Sequence, residues 1–295
     1  MSNKTKSLSL LLIALIAAAG TWVYLRSVNI PVLEPSGTVG DKEKNLIIIA
    51  VALSLIVVIP VYIMLIGFAW RYREGNIKAK YDPDFTHNRT IEGIWWAVPL
   101  AIITVLAVIT YRSSHELDPS KPLDKRPEMK VQVVSLQWKW LFIYPKEHIA
   151  AVNIVKFPSN TPVNFEITSD APMNSFWIPQ LGGQIYAMSG MSTNLRLDAK
   201  KTGIYAGSSA NISGKGFSKM HFSAEVKSQS DFKQWTDSVK KLSPNVLDTG
   251  TYEILAKPSI DEGETYFGSV EPGLFDKIVS KYITPKYFTN TKEGQ

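Results

Sequence analysis

Few residues in this chain can do chemistry, and their pattern excludes more than it offers. Cysteine is absent from all 295 residues, and histidine occurs four times, at His87, His115, His148 and His221. Without thiols there is no disulfide framework, no thiolate zinc or iron–sulfur site, no sulfur nucleophile and no cysteine to carry a lipid. The four histidines lie far apart and read as solvated or structural side chains. Lys and Arg give a mild net charge of +6 and are scattered. A nucleic-acid partner needs a basic stripe and a recognisable module, and neither is present.

The elements that position these residues fall into two kinds. Leu46–Trp70 is a 25-residue run without a charge, longer than the roughly 20 residues that cross a hydrocarbon core. Pro60 within it is tolerable in a membrane helix. Gly93–Tyr111 is a second span, with Trp95 and Trp96 at one end and Tyr111 at the other, as interfacial aromatics require. Neither span holds a charge; Glu92, His115 and Glu116 sit at the edges of the second and read as helix-end side chains. The loop 71–92 carries Arg71, Arg73, Lys78, Lys80 and Arg89, which suits the cytoplasmic side. A hairpin then places segment 26–45 and everything after residue 111 outside. Lys4 and Lys6 before the apolar run Leu8–Ala19 mark residues 1–25 as a signal peptide or a further membrane helix.

After a linker over 112–128, the apolar pattern takes a period of two, with turn signals at short intervals. Lys130–Leu136, Trp138–Tyr144, Ala151–Phe157, Val163–Thr168, Ser175–Ile178, Gln184–Met188, Thr193–Leu197, Gly203–Ala206 and Met220–Val226 read as strands. Such a series predicts a Greek-key sandwich over 129–227. Beyond Lys227 the period becomes helical: Phe232, Trp235, Val239 and Leu242 share one face, and Leu274, Phe275, Ile278, Val279, Tyr282 and Ile283 another. The expected fold is thus a two-helix transmembrane hairpin, an extracytoplasmic cupredoxin-like sandwich, and a small helical region over 228–295 that caps it.

Three motifs make the order specific: Gln137-Trp138-Lys139-Trp140, Asn174-Ser175-Phe176-Trp177-Ile178-Pro179, and Tyr205…Ser213-Gly214-Lys215-Gly216-Phe217…Met220. From about residue 30 to residue 285 the chain resembles subunit II of the haem–copper terminal oxidases. In copper-bearing members the resemblance implies a two-copper centre held by two Cys, two His, a Met and a backbone carbonyl, a set suited to soft copper. On that pattern Asn174 and Phe217 stand where the histidines belong. Ser209 and Ser213 take the cysteine places, Asn211 takes the glutamate place, and Met220 alone is retained. A neutral hydroxyl does not replace a thiolate, and a phenyl ring has no lone pair. His221 adjoins Met220, but neighbours on a strand face opposite ways.

A scaffold kept without its ligands, followed by a helical tail, is similar to the quinol-oxidising branch. That resemblance implies a subunit of a proton-pumping ubiquinol oxidase with no catalytic residue or cofactor of its own. Haems and a copper then belong to subunit I, and membrane lipid and subunit I are its partners. Trp138 and Trp140 occupy a motif on the electron route of copper-bearing relatives; here packing or subunit contact is the expected role. The same role in a menaquinol oxidase, or a stand-alone exported binding module on a membrane anchor, are the competing readings.

Overall fold

The computed structural model describes residues 30–79 and 86–283, with scattered positions between 12 and 28. Lys4, Lys6 and Lys80 lie outside the described residues. Two long helices come first, α1 (Thr38–Arg71) and α2 (Arg89–Glu116). Both overrun the apolar spans. α1 gains two turns at its N-terminal end, and α2 one turn at each end, because the charged flanks are good helix formers. Pro60 and Pro99 lie inside continuous helix. The Asn88 side chain caps α2 by accepting from Thr90 and Ile91 N–H, and Glu92 accepts from Asn88 N–H at 3.2 Å. Glu92 is therefore the helix-start carboxylate expected of it.

Thirteen strands follow among the described residues. The six-stranded sheet contains β1 (Met129–Leu136), β2 (Lys139–Tyr144), β3 (Ile149–Val152), β5 (Val163–Ser169), β8 (Thr193–Leu197) and β12 (Thr265–Phe267), in the order β12-β3-β2-β1-β5-β8. The five-stranded sheet contains β4 (Ile154–Pro158), β6 (Asn174–Trp177), β7 (Ile185–Ala187), β9 (Gly203–Ser209) and β10 (His221–Lys227), in the order β4-β10-β9-β6-β7. The short pair β11 (Val246–Leu247) and β13 (Ser269–Val270) is parallel. Trp140, Phe142, Phe165, Phe176 and Phe222 fill the space between the two large sheets.

Three expectations need correction. The run 151–157 is two strands in different sheets, because Asn153 takes a left-handed conformation (φ 58°) between them. Its side chain secures the switch: Oδ1 accepts from Trp140 N–H at 2.9 Å, and Nδ2 donates to the Glu262 carbonyl at 2.7 Å. The C-terminal region is also more than a helical cap. It adds β12 to the edge of the six-stranded sheet, pairing Tyr266 with Ala151. Its helices are α3 (Gln229–Leu242), α4 (Thr249–Leu255) and α5 (Leu274–Ser280). α4 and α5 bring Tyr252, Leu274, Phe275 and Ile278 against Val134, Leu141 and Ile143 on the sheet's second face. That burial on both faces explains why Trp140–Tyr144 is a continuous apolar run. Leu242, assigned to the packed face of α3, is instead 81% exposed at the helix end, and Thr236 is buried.

The sandwich grips the end of the hairpin formed by the start of α1. Thr38 donates N–H and Oγ1–H to the two oxygens of buried Asp198, each at 2.7 Å, so a sandwich residue caps α1. Gly37 permits the approach: a Cβ there would lie 2.5 Å from the Asp198 carbonyl. Gly40 N–H donates to the Leu181 carbonyl at 2.9 Å, and Lys200 pairs with Asp41 at 2.5 Å.

Candidate functional site

Strand β6 begins at Asn174, and β9 ends at Ser209 beside it; Phe176 is registered against Ser209. The chain then loops through Asn211, Ser213 and Phe217 before Met220 leads into β10. This topology brings Asn174, Ser209, Ser213 and Met220 together at one end of the sandwich. Asn174 Nδ2 donates to Ser213 Oγ at 3.0 Å and contacts Met220 Sδ at 3.1 Å. Its Oδ1 accepts from Ser175 N–H at 2.9 Å and from the Ser209 hydroxyl. Ser209 Oγ also lies 3.4 Å from Met220 Sδ. Asn174 and Met220 are buried, with 1% and 0% exposure.

Every polar valence of the Asn174 amide is thus occupied by a neighbour. The cluster is a closed hydrogen-bonded knot of amide, two hydroxyls and a thioether. Such a donor set does not fit a two-copper centre: it offers no thiolate to bridge the metals and no imidazole. The other two positions on the pattern are not drawn in. Asn211 Nδ2 reaches only the Met173 carbonyl at 3.5 Å, and Phe217 opens a short 3₁₀ turn ending at Lys219. Among the described residues no group of three His, Asp or Glu side chains converges in a metal-binding arrangement. His221 is exposed beside buried Met220 and contacts the Ser218 carbonyl at 2.9 Å, as alternation on a strand requires. His115 contacts the Tyr111 carbonyl at 2.8 Å, His87 lies 3.2 Å from Thr86 Oγ1, and His148 sits in a turn with φ 55°.

The two tryptophans have separate roles. Trp140 is fully buried in the core, edge-on to Phe176 and Phe222. Trp138, with φ 68°, turns its ring over the loop that follows β9 and donates Nε1–H to the Ser213 carbonyl at 3.0 Å. Gly216 lies directly beneath: a Cβ there would stand 2.3 Å from the indole. The glycines of Ser213-Gly214-Lys215-Gly216 are therefore the local reason the loop can pass under this ring.

Lys139, between them, was not singled out from sequence. It is 2% exposed, and its Nζ meets Ser259 Oγ at 2.5 Å and Glu262 Oε2 at 3.3 Å. Lys139 is paired with Glu262 across 123 positions of sequence, so this contact is a clamp between the motif and the C-terminal loop. The Ser259 hydrogen bond, then Lys139, hold the Glu262 carboxyl below its usual range. A carboxyl depressed in the folded state stabilises above its unfolded value and loses that contribution as pH falls through the folded value. Glu262→Gln is expected to lower the Tm at pH 7, with the deficit shrinking below about pH 4. An equal deficit at both pH values in thermal melts overturns the assignment.

Asn174 permits a second test. Asn174→Ala leaves the Ser209 hydroxyl facing apolar surroundings and is expected to cost about 1–3 kcal/mol. Asn174→Asp should cost more at pH 8, because it buries a carboxylate in a 1% exposed position. Burial raises that carboxyl, so its penalty grows as pH rises and relaxes on acidification toward about pH 5. Thermal melts of the two variants that stay parallel across this range would show that the cluster is wet.

Comparison with known proteins agrees with the geometry. Residues 147–227 match the family described as cytochrome c oxidase subunit II, periplasmic domain, and residues 241–286 match the COX aromatic rich motif. A cytochrome bo(3) ubiquinol oxidase subunit 2 of Pseudomonas putida is 51% identical over 88% of this chain and 83% of its own. A ubiquinol oxidase subunit 2 of Acetobacter aceti is 48% identical over 92% and 88%, and a quinol oxidase subunit 2 of Bacillus cereus 34% identical over 90% and 91%. Among solved structures, the periplasmic domain of cytochrome oxidase subunit II of Bradyrhizobium japonicum aligns with a TM-score of 0.38 at 21% identity. That alignment covers 40% of this chain and 96% of that one. By this extent of identity along nearly its full length, the chain belongs to the subunit 2 family of the quinol oxidases.

Proposed function

We propose that this chain is the second subunit of a membrane-bound complex that oxidises ubiquinol and reduces oxygen, and that it carries no metal and no catalytic residue of its own. The observation that supports this most is the closed Asn174 knot, in which the positions of a copper relay are filled by groups that bond one another. A soluble cytochrome donor needs a relay at the outer surface. Quinol is lipid-soluble and delivers electrons inside the membrane, so the relay has no task and the sandwich remains as scaffold. In this reading the two apolar helices cross the cytoplasmic membrane, the sandwich lies outside, and the hairpin docks on a subunit I that holds the haems, the copper and the proton path. Ubiquinol is favoured over menaquinol because the relatives named for ubiquinol are 51% and 48% identical.

The test is purification in mild detergent through a tag on this chain. Haem should copurify, and oxygen uptake should be sustained by ubiquinol and not by reduced cytochrome c. A haem-free, partnerless preparation overturns the proposal, as does an intense visible copper band assigned to this chain.

A further inference from the structure

Two cavities meet where the hairpin enters the sandwich. The lower is an apolar crevice of about 280 Å³ between the outer halves of α1 and α2, lined by Leu46, Ile49, Ala50, Leu106, Ile109 and Leu117. Three hydroxyls, Thr110, Ser113 and Ser114, also face it. The upper is a charged pocket of about 190 Å³ that shares Leu117 and is closed above by Gly183, Leu195 and Arg196 of the sandwich. At 1.5 Å per residue, Lys42 and Glu43 stand about 5 Å above the start of the first span at Leu46. That is the depth of the headgroup layer, which adds roughly 5–8 Å to each side of the hydrocarbon.

The charges of the upper pocket balance: Lys42, Lys121 and Arg196 against Glu43, Glu116 and Asp118. Several are already engaged. Lys42 pairs with Glu116 at 2.6 Å, Arg196 with Glu128 at 3.0 Å, and Asp118 accepts from Ser120 N–H at 2.9 Å and Oγ–H at 2.6 Å. Two are without an ion-pair partner among the described residues, although the Ser120 hydrogen bonds, and with them the Lys121 charge, hold the Asp118 carboxyl below its usual range. Lys121 Nζ reaches only the His115 carbonyl at 2.9 Å, and Glu43 accepts only from Gly183 N–H at 3.0 Å. Burial raises the Glu43 carboxyl, with the Gly183 hydrogen bond opposing it, so a cation brought to Glu43 would relieve a cost.

We propose that the two cavities form one binding site for a phospholipid of the outer leaflet with a phosphoethanolamine headgroup. Its ammonium pairs with Glu43, its phosphate with Lys121, and an acyl chain lies in the crevice. The hydroxyls of Thr110, Ser113 and Ser114 stand at the level of the ester carbonyls, between headgroup and chain. A cation and an anion lining one pocket select a zwitterion with an exposed ammonium over an anionic lipid, whose headgroup brings a phosphate to Lys121 but no cation to Glu43. The site rests on the reading that α1 and α2 cross a membrane with the sandwich outside.

The test uses the complex purified in mild detergent through a tag on this chain, with retained lipids quantified by mass spectrometry. The wild type should keep about one phosphatidylethanolamine per chain beyond the exchangeable pool, and Glu43→Gln and Lys121→Gln should each lower that retention at least about fivefold, the loss of one charge-assisted contact. Ala50→Leu, which narrows the crevice and leaves the charges intact, should lower it too. Haem content and oxygen uptake report that each variant has assembled. Equal retention in wild type and variants overturns the proposal, as does retention of phosphatidylglycerol in preference. Recovery of the chain in the soluble fraction would overturn the membrane reading itself, and is distinguishable because no lipid of any class would then be enriched.

Discussion

Replacing Phe176 with Ala is expected to destabilise the sandwich domain by about 3–5 kcal/mol. The ring sits at the contact between the two large sheets. It stacks on Phe222 at 5.0 Å and lies 5.3 Å from Phe165, 5.4 Å from Trp140 and 6.2 Å from Phe142. Phe222 comes from β10 of its own sheet, while the other three come from β2 and β5 of the opposite one. Truncation therefore opens a cavity that neither sheet closes alone, since both are held by their ladders. Asn174 is two residues away on the same face of β6, so the knot around it loses its floor as well. Phe176→Leu retains most of the volume and should cost less than half as much. Thermal unfolding of the full chain in detergent, followed by near-ultraviolet circular dichroism, measures both. A loss below about 1 kcal/mol for the alanine variant would mean the core is loosely packed at this seam.

Much of this arrangement is legible in the sequence, for reasons particular residues make plain. The two long helices are evident because a charge-free run such as Leu46–Trp70 has the length and composition of a helix that crosses a hydrocarbon core. Val163–Ile167 alternates apolar and polar residues because Asn164 and Glu166 lie on the half-buried face of the strand while Val163, Phe165 and Ile167 are buried. The knot was legible only through aligned motifs. Nothing in the types Asn, Ser and Met says they will meet, and it is the crossing of β6 and β9 that joins positions 35 residues apart. The break at Asn153 was hidden because its neighbours on both sides are buried and apolar, which gives an unbroken pattern to a chain that changes sheets. Contacts made across more than 100 residues, such as Lys139 with Glu262 and Thr38 with Asp198, leave no local signal at all. These are the contacts that turn hairpin, sandwich and tail into one object, and so they bear on function through docking.

The same long-range logic makes Asp170 the second position of large effect. Its carboxylate, with a side chain 1% exposed, accepts from Tyr252 OH at 2.7 Å, from Lys281 Nζ at 2.9 Å and from the Tyr282 hydroxyl. One acid at the end of β5 thus holds α4 and the residues that follow α5. Burial, and then the bond to Asp170, push the Tyr252 hydroxyl well above its usual range, while the bond to Asp170 raises Lys281. Asp170→Ala would leave the Tyr252 hydroxyl buried without an acceptor, whereas Lys281 is half exposed and returns to water. The first effect dominates, and the expected cost is about 3 kcal/mol. Asp170→Asn keeps an acceptor for Tyr252 and should recover about half of it. The loss should be local, so the measurement is limited trypsin digestion of the assembled complex. Cleavage after Lys277 and Lys281 should accelerate in the alanine variant, while the sandwich core, held by Phe176 and its neighbours, stays resistant. Unchanged cleavage at both lysines would show that apolar packing of Leu274, Phe275 and Ile278 alone holds the tail. Acceleration at these sites with haem content preserved would separate docking of the tail from docking of the subunit.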